Sequence, residues 1–180
     1  MPGLIDALIR EGAIGPTLAV FTNPRNRDVE YRPNDVYVEW LSDRLLPALT
    51  SRYPIYPGAE RRGLVGASLG GLIATYAVLR RPDAFQLVGA QSPAYRLTGD
   101  LPAWLDGFGG IDWRSLRIHV DGGTFETVLY GRDYLPIIRR GAALLGRRGC
   151  AVQYNEVNEG HNWTNWRGRL PDLLTWLLTP

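Results

Sequence analysis

The chain has 180 residues, 45% of them hydrophobic, which suits one domain (residues 1–180) with a core of its own. Its net charge is only +2, and its twenty basic residues are all arginines that form no run, so nucleic-acid binding is disfavoured. One cysteine, Cys150, excludes an internal disulfide; no apolar run could span a bilayer; and Met1-Pro2-Gly3 lacks a secretion signal's basic start. A cytoplasmic protein with no membrane partner is expected.

Leu4, Ile5, Leu8 and Ile9 keep a helical spacing that should end near Gly12. After the Gly15-Pro16 break, Thr17-Leu18-Ala19-Val20-Phe21 is a continuous apolar run and predicts a buried parallel strand. Residues 22–34 read as a polar loop, with Asn34 or Asp35 capping the next helix. That helix carries Tyr37, Trp40, Leu41, Leu45 and Leu49 on one side and should kink at Pro47. Leu64 and Val65 belong to a short strand, and a helix runs from about Leu69 to Arg80. A strand over 84–90 leads to Gln91-Ser92-Pro93, and residues 101–110 suggest a short helix and loop. A strand over 116–120 ends at Asp121-Gly122-Gly123. A helix from about Tyr130 or Arg132 to Arg148 stops at Gly149. The last strand spans 152–157, and an amphipathic helix from Trp163 to Leu178 closes the chain.

Strands alternate with helices, which predicts a mainly parallel sheet inside a three-layer α/β sandwich. Ligands in such sheets bind at the C-terminal ends of the strands. Ser68, Gln91-Ser92, Asp121 to Glu126 and His161 all follow strand ends and should gather on one edge.

Gly66-Ala67-Ser68-Leu69-Gly70 has the G-x-S-x-G pattern of a nucleophile elbow, a serine thrust off a strand end on strained backbone. Glycines two residues either side remove collisions with the neighbouring strand and helix. The N-terminus of the following helix points at the serine and favours a developing anion, with the Leu69 N–H as one oxyanion donor. A serine needs a base, and only His119 and His161 exist. His119 lies inside a strand, where a histidine is usually structural. His161 follows the last strand in a glycine-rich loop, in the chain order serine, acid, histidine of the α/β-hydrolases. For the acid, Asp133 belongs rather to a helix start, and spacing leaves Asp121 and Glu126 unseparated.

These residues carry a resemblance. Gly66 to Gly71, Gly123-Thr124-Phe125-Glu126 and Gly160-His161-Asn162-Trp163 with Trp166-Arg167 are similar to the "Putative esterase" family, and most of all to its enterochelin-esterase branch. The similarity runs over nearly the whole chain and includes the Asn23 to Asn34 loop. It implies an α/β-hydrolase fold and a carboxylic ester hydrolase with Ser68, Glu126 and His161 as catalytic residues, Glu126 occupying the family's acid position. Hydrolysis through an acyl-enzyme requires no cofactor or metal. Asn23, Arg27, Ser92 and Trp163 are the expected substrate contacts, and the aromatic residues with Arg25, Arg27 and Arg96 suit an aromatic or catecholate ester. Glu159 departs from the family, which often has glycine there, and could narrow the pocket or bring a carboxylate near His161.

The family's first strands, and the loop that supplies a second oxyanion donor, have no counterpart before Leu4. An exposed apolar sheet edge near Thr17 to Phe21 is therefore expected, covered by a partner or by self-association. A non-catalytic binding protein and an acyltransferase are the rival readings.

Overall fold

A computed structural model describes residues 2–126 and 134–179. Four strands, β1 (Gly63–Ala67), β2 (Leu87–Gln91), β3 (Arg117–Gly123) and β4 (Ala151–Val157), form a wholly parallel sheet in the order β1-β2-β3-β4. Parallel neighbours need crossovers, and helices supply them. Helix α5 (Leu69–Arg80) joins β1 to β2; α7 (Leu135–Arg147) lies between β3 and β4. Both pack on one face, where Leu72, Val78, Val88, Ala90, Ile118, Val120, Ile138 and Leu145 build the main core. The opposite face is covered by α8 (Trp163–Leu178), whose Leu173 packs over Gly89 of β2. Helix α1 (Pro2–Arg10) sits outside α8, its Ile5 and Leu8 meeting Leu173 and Leu174. The three layers expected from the alternation are therefore present.

Short helices α2 (Arg27–Glu30), α3 (Asp35–Glu39), α4 (Leu46–Thr50) and α6 (Leu101–Asp106) complete the order. Asn34, not Asp35, caps α3, its side chain accepting from the Tyr37 N–H at 3.0 Å. Pro47 leaves its mark upstream of itself. Residues 40–45 widen into a π turn, and the Leu46 N–H reaches back five residues to the Leu41 carbonyl. A wider turn makes room for a ring that has no N–H to donate.

Two sequence expectations are corrected. Thr17 to Phe21 forms no strand, and Leu18, Val20 and Phe21 are each more than 40% exposed. An apolar run becomes a strand only when a ladder takes up its N–H and C=O groups. None does so among the described residues, and β1 itself remains the outermost strand, with Val65 exposed. The second correction is β3, which continues through Asp121, Gly122 and Gly123, paired with Asn155, Glu156 and Val157 of β4. Asp121 is thus a strand residue and does not begin a turn.

Candidate active site

The registers align Ala67, Gln91, Asp121 and Asn155 across the sheet, so the segments after all four strands emerge along one edge. Ser68 comes first. Its backbone has φ 58° and ψ −116°, a region that L side chains rarely occupy. The strain is held from three sides: the Ser68 N–H donates to the Gln91 carbonyl, and the Ser68 carbonyl accepts from Leu72 and Ala94. Gly66 is needed because a Cβ there would lie 2.5 Å from the Gly70 carbonyl. Gly70 has no such restriction, since a Cβ on it would meet nothing within 4 Å. The close approach therefore constrains only the first of the two elbow glycines.

Ser68 and Leu69 line a cleft of about 210 Å³ with Arg27, Asp28, Arg32, Arg96 and Tyr134 among its walls. The Leu69 N–H begins α5, where no carbonyl of the helix is available to it. Three guanidinium groups against one carboxylate make the cleft mouth positive. The Arg96 guanidinium lies 5.2 Å over the Tyr134 ring.

Glu126 and His161 meet beside Tyr134, which also lines the cleft. His161 Nδ1 is 2.9 Å from Glu126 Oε2, and the carboxylate is fully buried. The loops that carry them are clamped together by backbone. The Thr124 N–H donates to the Val157 carbonyl at 2.8 Å and the Phe125 N–H to the Glu159 carbonyl at 3.1 Å. A Cβ on Gly123 would fall 2.2 Å from that Glu159 carbonyl, so only glycine permits the approach. Burial, the strongest influence on the Glu126 carboxyl, would raise its pKa. Hydrogen bonds from His161, the Ser92 hydroxyl and the Gly123 N–H outweigh it and hold the group below its ordinary value. The His161 ring is fixed by edge-on contacts with Trp166 at 4.7 Å and Tyr134 at 5.3 Å.

Spacing left Asp121 and Glu126 open, and the structure assigns them different surroundings. Asp121 is also buried, but it pairs with Arg169 at 2.8 Å and accepts from the Ser92 N–H and the Gln91 amide. His119, the other histidine, is buried beside it and bonds Gln153 through Nδ1 at 2.9 Å. Asp133 lies outside the described residues. Glu159 neither narrows the cleft nor approaches His161 with its carboxylate. That group turns to Arg169 Nε at 3.2 Å, an ionic contact without hydrogen-bond directionality.

Of the expected substrate contacts, Arg27 lines the cleft. Asn23 is exposed but outside the cleft lining, and Trp163 is 75% exposed at the start of α8, packed edge-on against Trp166. Ser92 is corrected: it is fully buried and unavailable to substrate. Its hydroxyl donates to Glu126 Oε1 at 2.6 Å and accepts from Trp166 Nε1 at 3.0 Å. Sequence reasoning had no means to find this role for Ser92 or Trp166. The one available signal, a polar residue directly after a strand end, points equally to a substrate contact. Among the described residues no hydrogen bond joins the Ser68 hydroxyl to His161, and no cluster of three or more metal-ligating side chains occurs. No described helix is long and apolar enough to cross a membrane.

Comparison with known proteins places the chain among esterases. Residues 3–177 match the family model described as "Putative esterase". The siderophore triacetylfusarinine C esterase of Aspergillus fumigatus is 36% identical over 109 residues, covering 60% of this chain and 32% of that enzyme. The iron(III) enterobactin esterase of Escherichia coli K12 is 30% identical over 143 residues, covering 73% of this chain and 34% of the relative. The crystal structure of the enterochelin esterase of Shigella flexneri superposes with a TM-score of 0.77 at 26% identity, covering 98% of this chain and 46% of that one. The chain thus spans about a third of these curated relatives and just under half of the solved enzyme.

Proposed function

The chain belongs to the "Putative esterase" family, and from that premise we propose that it is a serine esterase in which Ser68 attacks an ester carbonyl. His161 takes the hydroxyl proton through Nε2 and returns it to the leaving alcohol. Glu126 holds the imidazole and balances the imidazolium that forms. The Leu69 N–H and the N-terminal end of α5 stabilise the oxyanion, and water then releases the acyl group from Ser68.

The observation that carries this reading is the strained Ser68 at a helix N-terminus in a cleft, on the same sheet edge as a buried Glu126–His161 pair. Catalytic hydrogen bonds are often loose before substrate arrives, so the absence of a Ser68–His161 bond is compatible with it. The substrate we infer is an ester bearing an aromatic, anionic group such as a catecholate. Arg27, Arg32 and Arg96 would face its charge, and relatives are described as siderophore and enterobactin esterases.

Incubation with a fluorophosphonate followed by peptide mass spectrometry tests the nucleophile, and a folded sample unlabelled at Ser68 would rule it out. Turnover of p-nitrophenyl acetate equal in wild type and Ser68→Ala would instead favour a non-catalytic binding protein.

A further inference from the structure

Among the described residues only Ser68 and Ser92 have positive φ without being glycine. The first belongs to the proposed nucleophile. Strain on a second, fully buried serine calls for its own explanation, and its hydrogen bonds supply one.

An indole N–H can only donate, so at the 3.0 Å contact Trp166 is the donor and Ser92 Oγ the acceptor. The hydroxyl has one hydrogen, and it points to Glu126 Oε1 at 2.6 Å. The Gly123 N–H donates to the same oxygen at 2.9 Å. Two donors on Oε1 favour the ionised carboxylate, whose Oε2 can then only accept. Oε2 faces His161 Nδ1 at 2.9 Å. The hydrogen between them must therefore sit on Nδ1, which leaves Nε2 bare. Asp121 holds the start of this chain in place. Its carboxylate accepts from the Ser92 N–H and its carbonyl accepts from the same N–H at 2.9 Å, fixing the backbone at φ 44°.

We propose that Ser92 and Trp166 are positioning residues that set the tautomer of His161, through a one-way donor chain from Trp166 to Ser92 to Glu126. The tautomer itself depends only on this geometry. Its consequence for catalysis rests on the serine esterase reading, because a bare Nε2 is what a base needs to accept the Ser68 proton.

Ser92→Gly is the informative variant. Glycine accepts positive φ freely and keeps the N–H that Asp121 holds, so the change removes the hydroxyl while relieving strain. Trp166→Phe removes the indole N–H, keeps an aromatic ring against His161, and serves as the second probe should the first fail to fold. The full chain is labelled with ¹⁵N-histidine, and long-range ¹H–¹⁵N correlations are recorded at neutral pH. Signals lost in His161→Gln identify that ring.

The expected wild-type spectrum has His161 protonated at Nδ1 alone, with both tautomers present in Ser92→Gly, where Oε1 keeps only the Gly123 N–H and the carboxylate can turn away from Nδ1, and in Trp166→Phe, where the Ser92 hydroxyl loses the donor that aims its hydrogen at Glu126. Phosphonylation of Ser68 by a fluorophosphonate, and kcat, should fall about tenfold in Ser92→Gly, the equivalent of one ordinary hydrogen bond, with KM changed less than about twofold. A wild-type His161 carrying its hydrogen on Nε2, or wild-type tautomer and rate in both variants, would overturn the proposal. A wild-type spectrum as expected in a protein that never reacts with the fluorophosphonate would sink the esterase reading while upholding the tautomer assignment.

Discussion

Two buried carboxylates stand at the active edge, and exchanging each for its amide should break different properties of the protein. Glu126→Gln keeps shape and volume. Its carbonyl oxygen can still accept from Ser92 and Gly123, which turns its amide group toward His161 Nδ1. An amide donates there, so the imidazole must present Nδ1 as acceptor and carry its hydrogen on Nε2. On the serine esterase reading the base is then lost at rest, and kcat should fall by about 10³–10⁴-fold with little change in folding. Asp121→Asn acts elsewhere. Asp121 neutralises Arg169, which is nearly buried, and among the described residues the one other carboxylate in contact with that guanidinium is Glu159 at 3.2 Å. Removing one partner of a buried pair typically costs about 3–5 kcal/mol, and Glu159 should hold the loss near the low end, about 3 kcal/mol. For a domain of this size that lowers Tm by roughly 6–12 °C. The assay is p-nitrophenyl acetate turnover below the lower Tm, alongside thermal unfolding of both variants. A destabilised Asp121→Asn with kcat within about threefold of wild type, and a stable but inactive Glu126→Gln, is the expected pair. The opposite pattern would make Asp121 the catalytic acid and refute the reasoning.

Gly66→Ala should fold poorly or not at all, since its methyl meets the Gly70 backbone at 2.5 Å, whereas Gly70→Ala should be neutral or raise Tm slightly, helix interiors favouring alanine by up to about 1 kcal/mol. Soluble yield and melting curves distinguish the two. Arg27→Ala or Arg32→Ala should raise KM about two- to fivefold for an anionic aryl ester and leave a neutral acetate unaffected, the modest size reflecting solvent-screened charges; equal effects on both substrates would place these arginines outside recognition. The folded pKa of Glu126 lies below its unfolded value of 4.5, so its contribution to stability is complete well above that pH and is lost as pH falls through the folded value. Between about pH 5 and about pH 3 wild type should therefore lose more Tm than Glu126→Gln, and parallel losses would show that the carboxylate is not held in its charged form.

How legible the fold was depended on whether an element's partners lie near it in sequence. Helices α5 and α8 appear with the boundaries their periodicity predicts, because capping and amphipathic patterning are local signals. The extension of β3 through Asp121-Gly122-Gly123 runs against a strong local turn signal. It is imposed by pairing with Glu156 and Val157 of β4, more than thirty residues away. Thr17 to Phe21 errs in the opposite direction. Its composition favours a strand, but composition cannot supply the neighbouring strand whose backbone groups it would need.

The candidate site divides along the same line. Ser68 and His161 can be singled out in the sequence because the chemistry proposed for them needs particular residue types in a fixed chain order, and glycines mark the tight backbone around them. Glu126 required the family resemblance, since sequence spacing puts two acids near the end of the same strand. Its surroundings then account for the choice: Asp121 points to the face covered by α8, where Arg169 meets it, while Glu126 reaches the His161 loop. Ser92 and Trp166 could not be placed by any local rule. They are 74 residues apart, and their hydrogen bond exists only because β2 ends beside the first turns of α8. A buried serine at positive φ carries local backbone strain, so its retention in this fold requires surroundings that hold it there. Those surroundings are the Asp121 carboxylate at its N–H and the Glu126 carboxylate at its hydroxyl. The structural acid and the proposed catalytic acid are therefore joined through one residue: Asp121 fixes where Ser92 stands, and Ser92 fixes which oxygen of Glu126 is free to face His161.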